Sequence, residues 1–290
     1  MTAHIELEQQ QGVAHVTIHH PKRFNAMSRS MWRELKCVFD AIGRDPALRC
    51  VLVTGRGEHF CAGGDISEYA DFRFHEATLR EFHEVDVWGG LQAMLVCDVP
   101  MVAKIKGNCM GAGVEIASCC DIRLAAKSAK FGAPIARLGF PMAPREAALI
   151  TSELGATTAR QMLLTAAVLD APELAARGFL TAVVADDDLA VHTQVMVQRM
   201  LTLAPQAARL TKQTFRALNQ ALALIDKAQD ATKNEVSQIT DPQHPSVFCV
   251  GSTDQRTAQA DFFERAYAYA DSAEHREGVG AFLQKRPPVF

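Results

Sequence analysis

The 290-residue chain carries no excess of basic charge: 30 Lys and Arg stand against 33 Asp and Glu, a formal net charge of −3. Without a basic field or a run of Lys and Arg, nucleic acid is a poor expectation for a partner. No uninterrupted apolar stretch reaches the roughly 18 residues that a membrane-spanning helix needs. The opening Met1-Thr-Ala-His-Ile-Glu lacks the basic-then-apolar order of a secretory leader. The eight cysteines include no C-x-x-C pair and mostly sit in apolar runs, where a thiol behaves as a small hydrophobe. A protein of a reducing, cytoplasmic compartment is expected, with no membrane partner.

The common cofactor fingerprints are missing too. G-x-G-x-x-G fails twice at its last position, since Gly111-x-Gly113 leads to Ile116 and Gly55-x-Gly57 leads to Phe60. There is no G-x-x-x-x-G-K-[ST] phosphate loop and no G-x-S-x-G, and His83-Glu84 runs on to Val87 where a zinc-protease helix requires histidine. The ten histidines show no metal-ligand spacing, so no metal and no dinucleotide is expected. Linkers rich in Pro, Gly or Ser and internal repeats are absent.

What is present is apolar material, 48% of the residues, enough for a substantial core. Alternation at Ile5 and Leu7, and then at Ala14, Val16 and Ile18, predicts a hairpin turning at Gln10-Gln11-Gly12. Ser28 is placed to cap a helix with apolar positions Met31, Trp32, Leu35, Val38, Phe39 and Ile42, closing at Gly43. Cys50–Thr54, Met101–Ile105 and Asp121–Ala125 read as strands, the first two buried on both faces. A helical stretch covers about Glu76–Cys97, the loop Gly107–Gly111 follows the second strand, and a small-residue helix opens near Ala112. From Pro144 the pattern is mostly helical: Arg145–Leu154, Thr158–Leu164, Pro172–Arg177, Leu189–Leu203, Pro205–Ala223, Asp226–Gln238 and Thr257–Ala270. An α/β core with helical additions is the expected architecture.

Two glycine loops follow buried strands: Phe60-Cys-Ala-Gly-Gly-Asp-Ile66 and Gly107-Asn-Cys-Met-Gly-Ala-Gly-Val-Glu115. Glycine lets backbone N–H groups point into a cleft, and a following helix adds its N-terminal partial positive charge. Two converging N–H groups make an oxyanion hole, although either loop alone is equally a tight strand-to-helix turn.

Together the two loops resemble the signature segments of the crotonase, or enoyl-CoA hydratase/isomerase, superfamily. Pro21-Lys-Arg-Phe-Asn-Ala26, Phe131-Gly-Ala-Pro134 and Arg276-Glu-Gly-Val-Gly-Ala-Phe-Leu-Gln-Lys-Arg286 agree in order and spacing. The resemblance spans roughly Ile5 to Phe290. It implies a superhelix of ββα units over residues 1–205 and a helical C-terminal region, 206–290, that forms trimers, often paired as hexamers, and completes the CoA site. It further implies an acyl-CoA substrate, no cofactor besides the CoA of that thioester, an oxyanion hole at the N–H groups of Gly64 and Ala112, and Glu115 as acid/base. CoA and substrate contacts fall by the same resemblance on Arg23, Ala26, Asp65, Ile66, Ser67, Phe282 and Lys285, with Lys22 nearby.

Departures from the family pattern shape the reaction expected. Hydratases carry a second glutamate directly after the Phe-Gly-x-Pro segment, where this chain has Ile135, and an alternative acidic position eight residues further on is Ala143. One carboxylate suits double-bond isomerisation better than hydration, which needs one group to activate water and another to deliver a proton. The reading is therefore an enoyl-CoA hydratase/isomerase-type enzyme with a single glutamate. An acyl-CoA hydrolase or decarboxylase of the same fold, or a non-catalytic acyl-CoA binder, stands as the alternative. Arg145 and Glu146 are expected as a helix cap or surface pair, His83 as a solvated helix histidine with some claim to proton transfer, and most aromatics of Ser67–Cys97 as core.

Overall fold

A computed structural model describes residues 2–218 and 273–290. It divides into two compact units, Met1–Thr202 and Leu203–Phe290.

The first unit begins with the expected hairpin. Strands β1 (His4–Gln10) and β2 (Val13–His19) pair antiparallel, and Gln11 (φ 51°) and Gly12 (φ 79°) supply the two positive-φ positions of a tight hairpin turn. Ser28 accepts from the Met31 N–H at 3.3 Å and caps helix α1 (Arg29–Arg44), whose buried stripe is Met31, Trp32, Leu35, Phe39 and Ile42. The helix runs one residue past Gly43 and ends on Asp45, whose N–H returns to the Ile42 carbonyl.

Strands β3 (Cys50–Gly55), β4 (Met101–Ile105) and, further along, β6 (Ile122–Ala126) and β9 (Ala182–Val184) extend the sheet in parallel, giving the order β1-β2-β3-β4-β6-β9. Val51, Val53, Met101, Ala103 and Ile105 belong to a cluster that also holds the α1 stripe. Their sequence neighbours Cys50, Leu52 and Val102 share a second cluster with Leu189 and Val197 of the late helix Leu189–Leu201. Burial on both faces is why these strands read as continuous apolar runs rather than alternating ones.

Between β3 and β4 the chain forms helix α2 (Glu76–Glu81), a π-helical turn (Phe82–Val87) and helix α3 (Trp88–Val96), so the single helix expected over Glu76–Cys97 is interrupted by a wide turn. Short strands were hidden in segments read otherwise. β5 (Asn108–Met110) lies inside the expected loop Gly107–Gly111 and pairs in parallel with β7 (Lys130–Gly132). β7 in turn pairs antiparallel with β8 (Val168–Asp170), and β8 and β9 both lie in the half read as helical. Three residues are too few to establish a period of two. Helix α4 (Ala112–Ser118) follows β5, and α5 (Pro144–Leu154), α6 (Ala156–Thr165), α7 (Ala171–Ala176) and α8 (Leu189–Leu201) match the expected helices within two residues at each end.

In the second unit a helix covers 205–218 and another Ala273–Leu283. Arg286 pairs with Glu277 at 2.6 Å across the end of the latter. The expected helices Asp226–Gln238 and Thr257–Ala270 lie outside the described residues. Among the described residues, the cysteines are free thiols and no helix is long and apolar enough to cross a membrane.

Candidate active site

The two glycine loops lie side by side. Cys61 and Cys109 form a parallel bridge in which the Cys61 N–H donates to the Asn108 carbonyl at 3.0 Å and the Met110 N–H donates to the Cys61 carbonyl at 2.8 Å. Each loop then turns on a residue that only glycine accommodates well: Gly63 at φ 110° and Gly111, the residue capping α4, at φ 44°. A third segment braces the first loop. Lys22, Phe24 and Asn25 all hold positive φ (64°, 50° and 62°). The buried Asn25 side chain donates to the carbonyls of Arg56 (2.9 Å) and His59 (2.8 Å) while accepting from the His20 N–H (3.1 Å). Asparagine tolerates this backbone region, and its amide bonds here replace those a regular strand would make.

Directly after those turns come Gly64 and Ala112, and both border one cleft. Among the described residues no acceptor takes either N–H. A side chain at position 64 would meet the Tyr69 hydroxyl, so glycine there leaves Tyr69 its place against the loop. Also around the cleft are Arg73, His83, Glu115, Ile135, Phe140 and Glu146.

Glu115 sits in the first turn of α4, a helix buried on every side, and is 7% exposed. Burial, reinforced by the nearby charge of Glu146, holds its carboxyl well above the usual carboxylate range. Glu146 is 2% exposed and approaches His83, whose Nδ1 lies 3.1 Å from its Oε1. Both findings correct the expectations: Glu146 is no surface pair, and His83 faces the cleft rather than solvent. Their sequence neighbours do go outward, Arg145 pairing with Glu84 at 3.1 Å and lying over the Trp88 ring. The cleft thus holds a second carboxylate, delivered by α5 rather than by position 135, whose isoleucine contributes apolar surface.

A carboxyl with a raised native pKa makes stability pH-dependent with a definite sign. The contribution of protonated Glu115 is fully present below the unfolded value near 4.5 and is lost as pH rises through the raised native value. Thermal midpoints of the wild type and Glu115→Gln should therefore agree at low pH and separate toward alkaline pH, with the variant the more stable. Parallel melting curves across pH would refute this burial-driven protonation.

The π-helical turn has a visible purpose in this geometry. It sends His83 to the cleft and Asp86 toward α1, where the fully buried Asp86 carboxylate binds Arg29 Nη2 at 2.6 Å and Arg33 Nε at 2.6 Å. Phe72 and Phe82 pack as core, as expected, whereas Phe74 is exposed. Further along the cleft Arg73 lies between two rings, its guanidinium carbon 4.2 Å from the Tyr69 centroid and 3.7 Å from that of Phe140.

The residues expected to meet CoA fall in two groups. Asp65 caps the short helical turn Ile66–Asp71, accepting from the Ser67 N–H (3.0 Å) and hydroxyl (2.6 Å). Burial by itself would raise the Asp65 carboxyl, but those two bonds, with His20 and Arg23 nearby, hold it below the ordinary range. The Ala26 N–H donates to the Arg23 carbonyl at 2.9 Å and its own carbonyl lies 2.6 Å from His20 Nδ1. The Ile66 side chain is exposed. Phe282 and Lys285 belong to the second unit; Lys285 is exposed with φ 53°, and the Phe282 side chain lies outside what the structure describes. Neither Cys61 nor Cys109 is a nucleophile candidate, burial pushing the Cys61 thiol up to about 12 and the Cys109 thiol well above its usual value. Among the described residues no three His, Cys, Asp or Glu side chains are grouped to hold a metal ion.

Comparison with known proteins places this geometry in company. A sequence profile described as enoyl-CoA hydratase/isomerase matches residues 8–241. A crotonyl-CoA hydratase of Syntrophomonas wolfei is 30% identical over 290 aligned positions, covering 99% of this chain and 97% of its own. A short-chain-enoyl-CoA hydratase of Clostridium acetobutylicum is 30% identical over 261 positions, covering 89% of this chain and 94% of its own. A crystal structure titled enoyl-CoA hydratase/carnithine racemase, from Magnetospirillum magneticum, superposes with a TM-score of 0.79 at 31% identity, covering 99% of this chain and 94% of the other.

Proposed function

The chain belongs to the enoyl-CoA hydratase/isomerase family, and from that premise we propose that it hydrates or isomerises an enoyl-CoA thioester through an enolate, with Glu115 in its usual place and Glu146 standing in for the second glutamate that Ile135 replaces. One observation carries the reading: the unengaged N–H groups of Gly64 and Ala112 border the same cleft as a buried Glu115, its carboxyl raised above the usual range, and a second buried glutamate, Glu146.

The thioester carbonyl oxygen lies against the two N–H groups, which strengthen their hold as negative charge develops there, each worth about 3–4 kcal/mol to the transition state. In hydration, water attacks the β-carbon and its proton passes to Glu146, which His83 orients; Glu115 donates its proton to the α-carbon as the enolate collapses. The bond from water oxygen to the β-carbon forms, the double bond becomes single, and the proton gained by Glu146 balances the one lost by Glu115. Isomerisation needs only removal of an α-proton and its return at the γ-carbon, for which Glu146 and Glu115 supply base and acid in the same sense. Having two carboxylates in the cleft favours hydration over the single-base reaction that Ile135 and Ala143 pointed to.

In this reading the chain is one subunit of a trimer or hexamer, and Arg23, Ala26, Asp65, Ile66, Ser67, Phe282 and Lys285 belong to the CoA-binding segments. The test is a panel of 2-enoyl-, 3-enoyl- and malonyl-type CoA esters followed by mass and retention. Gain of one water indicates hydration, and altered retention at constant mass indicates isomerisation. Loss of carbon dioxide or release of free CoA would give the site to a decarboxylase or hydrolase, and binding with no change in any ester would make it a binding protein.

A further inference from the structure

Arg73 is not explained by the chemistry above. Its Nε is buried and meets no hydrogen-bond partner, its Nη2 stands 3.5 Å from His83 Nε2, and among the described residues no carboxylate forms an ion pair with it. The guanidinium carbon lies over both Tyr69 and Phe140, whose rings are inclined to each other at 69°, so two aromatic contacts rather than an anion hold it in place. A buried N–H left without an acceptor is costly, and most such groups in folded proteins are satisfied by something. Of the two carboxyl groups around the cleft, Glu146 is already taken by His83 at 3.1 Å and Glu115 lies buried in the first turn of α4.

From this arrangement, and resting on the acyl-CoA reading, we infer that Arg73 receives an anionic group on the acyl portion of the substrate, so that the preferred thioesters carry a carboxylate toward the far end of the acyl chain. The Nε edge of a guanidinium presents two parallel donors that match a carboxylate's two oxygens, and a methyl terminus offers nothing to them. Contact with two rings holds the fork in place beforehand, which reduces the ordering cost of binding. Tyr69 links this end of the cleft to the other, its hydroxyl packing at Gly64 while its ring carries Arg73.

The experiment measures binding, without turnover, by titrating the full-length protein with saturated CoA thioesters in pairs of equal length: butyryl- with succinyl-CoA, valeryl- with glutaryl-CoA, hexanoyl- with adipyl-CoA. In at least one pair the carboxylated ester should bind more tightly, by on the order of 10–100-fold, the worth of a charged hydrogen-bonded pair. Arg73→Met, which keeps apolar length between the rings, should abolish that preference while leaving the methyl-ended ester's affinity unchanged, and Arg73→Lys should restore part of it. Equal affinities within every pair, or an Arg73→Met that weakens both members alike, would overturn the proposal and make Arg73 a strut for Tyr69 and Phe140. Failure of all six esters to bind would instead overturn the acyl-CoA reading on which it rests.

Discussion

Glu115→Gln should lower kcat on an enoyl-CoA by about 10²–10⁴-fold, the usual worth of a positioned acid/base. The amide keeps the size of the carboxyl and carries no charge into a site where burial and Glu146 disfavour one, so the fold and the thioester affinity should survive. It has no proton to give the α-carbon, so the loss should appear in kcat with KM little changed, the pattern of an interaction made only in the transition state. Steady-state kinetics beside a direct binding titration separate the two effects. An unchanged kcat would remove Glu115 from the mechanism.

Ala112→Pro tests the backbone half of the site in isolation. Ala112 is the first residue of α4 after its capping glycine, a position where proline suits the helix because its missing N–H had no intrahelical partner. What disappears is one of the two donors assigned to the thioester oxygen, and removal of a single oxyanion-hole donor costs about 10²–10³-fold in kcat. Far-ultraviolet circular dichroism and a melting curve should show a folded protein. A folded Ala112→Pro variant with full activity would place the oxyanion elsewhere.

The parts of the site made of backbone were legible in the sequence because their conformational demands select residue types. Gly63 and Gly111 hold positive φ, and a side chain at Gly64 would displace Tyr69, so the two loops carry a recognisable pattern. The parts made of side chains brought from elsewhere were not. An acidic residue two positions after Pro144 looks like an ordinary partner of a helix N-terminus. The signal that distinguishes Glu146 is its register: it lies three and four residues before Leu149 and Ile150 and shares their buried stripe with Leu154. His83 was obscured by the π-helical turn, which breaks the 3.6-residue period that placed it on an outer face. Arg73 follows a short helical turn with no periodicity at all, and only the stacking of Tyr69 and Phe140 brings it to the cleft. In the fold, strands buried on both faces announced themselves as apolar runs, while β5, β7 and β8 were too short to show a period.

The central claim is that the cleft forms a thioester enolate with Glu115 handling a proton at the α-carbon. It is tested most directly by incubating the protein with a 2-enoyl-CoA in deuterated water and reading the rate at which deuterium appears at the α-carbon of the hydrated ester. The wild type should incorporate deuterium, with Ala112→Pro slower by the factor it loses in kcat and Glu115→Gln close to the uncatalysed rate. A bound ester recovered without deuterium, or exchange undiminished in Glu115→Gln, would contradict it.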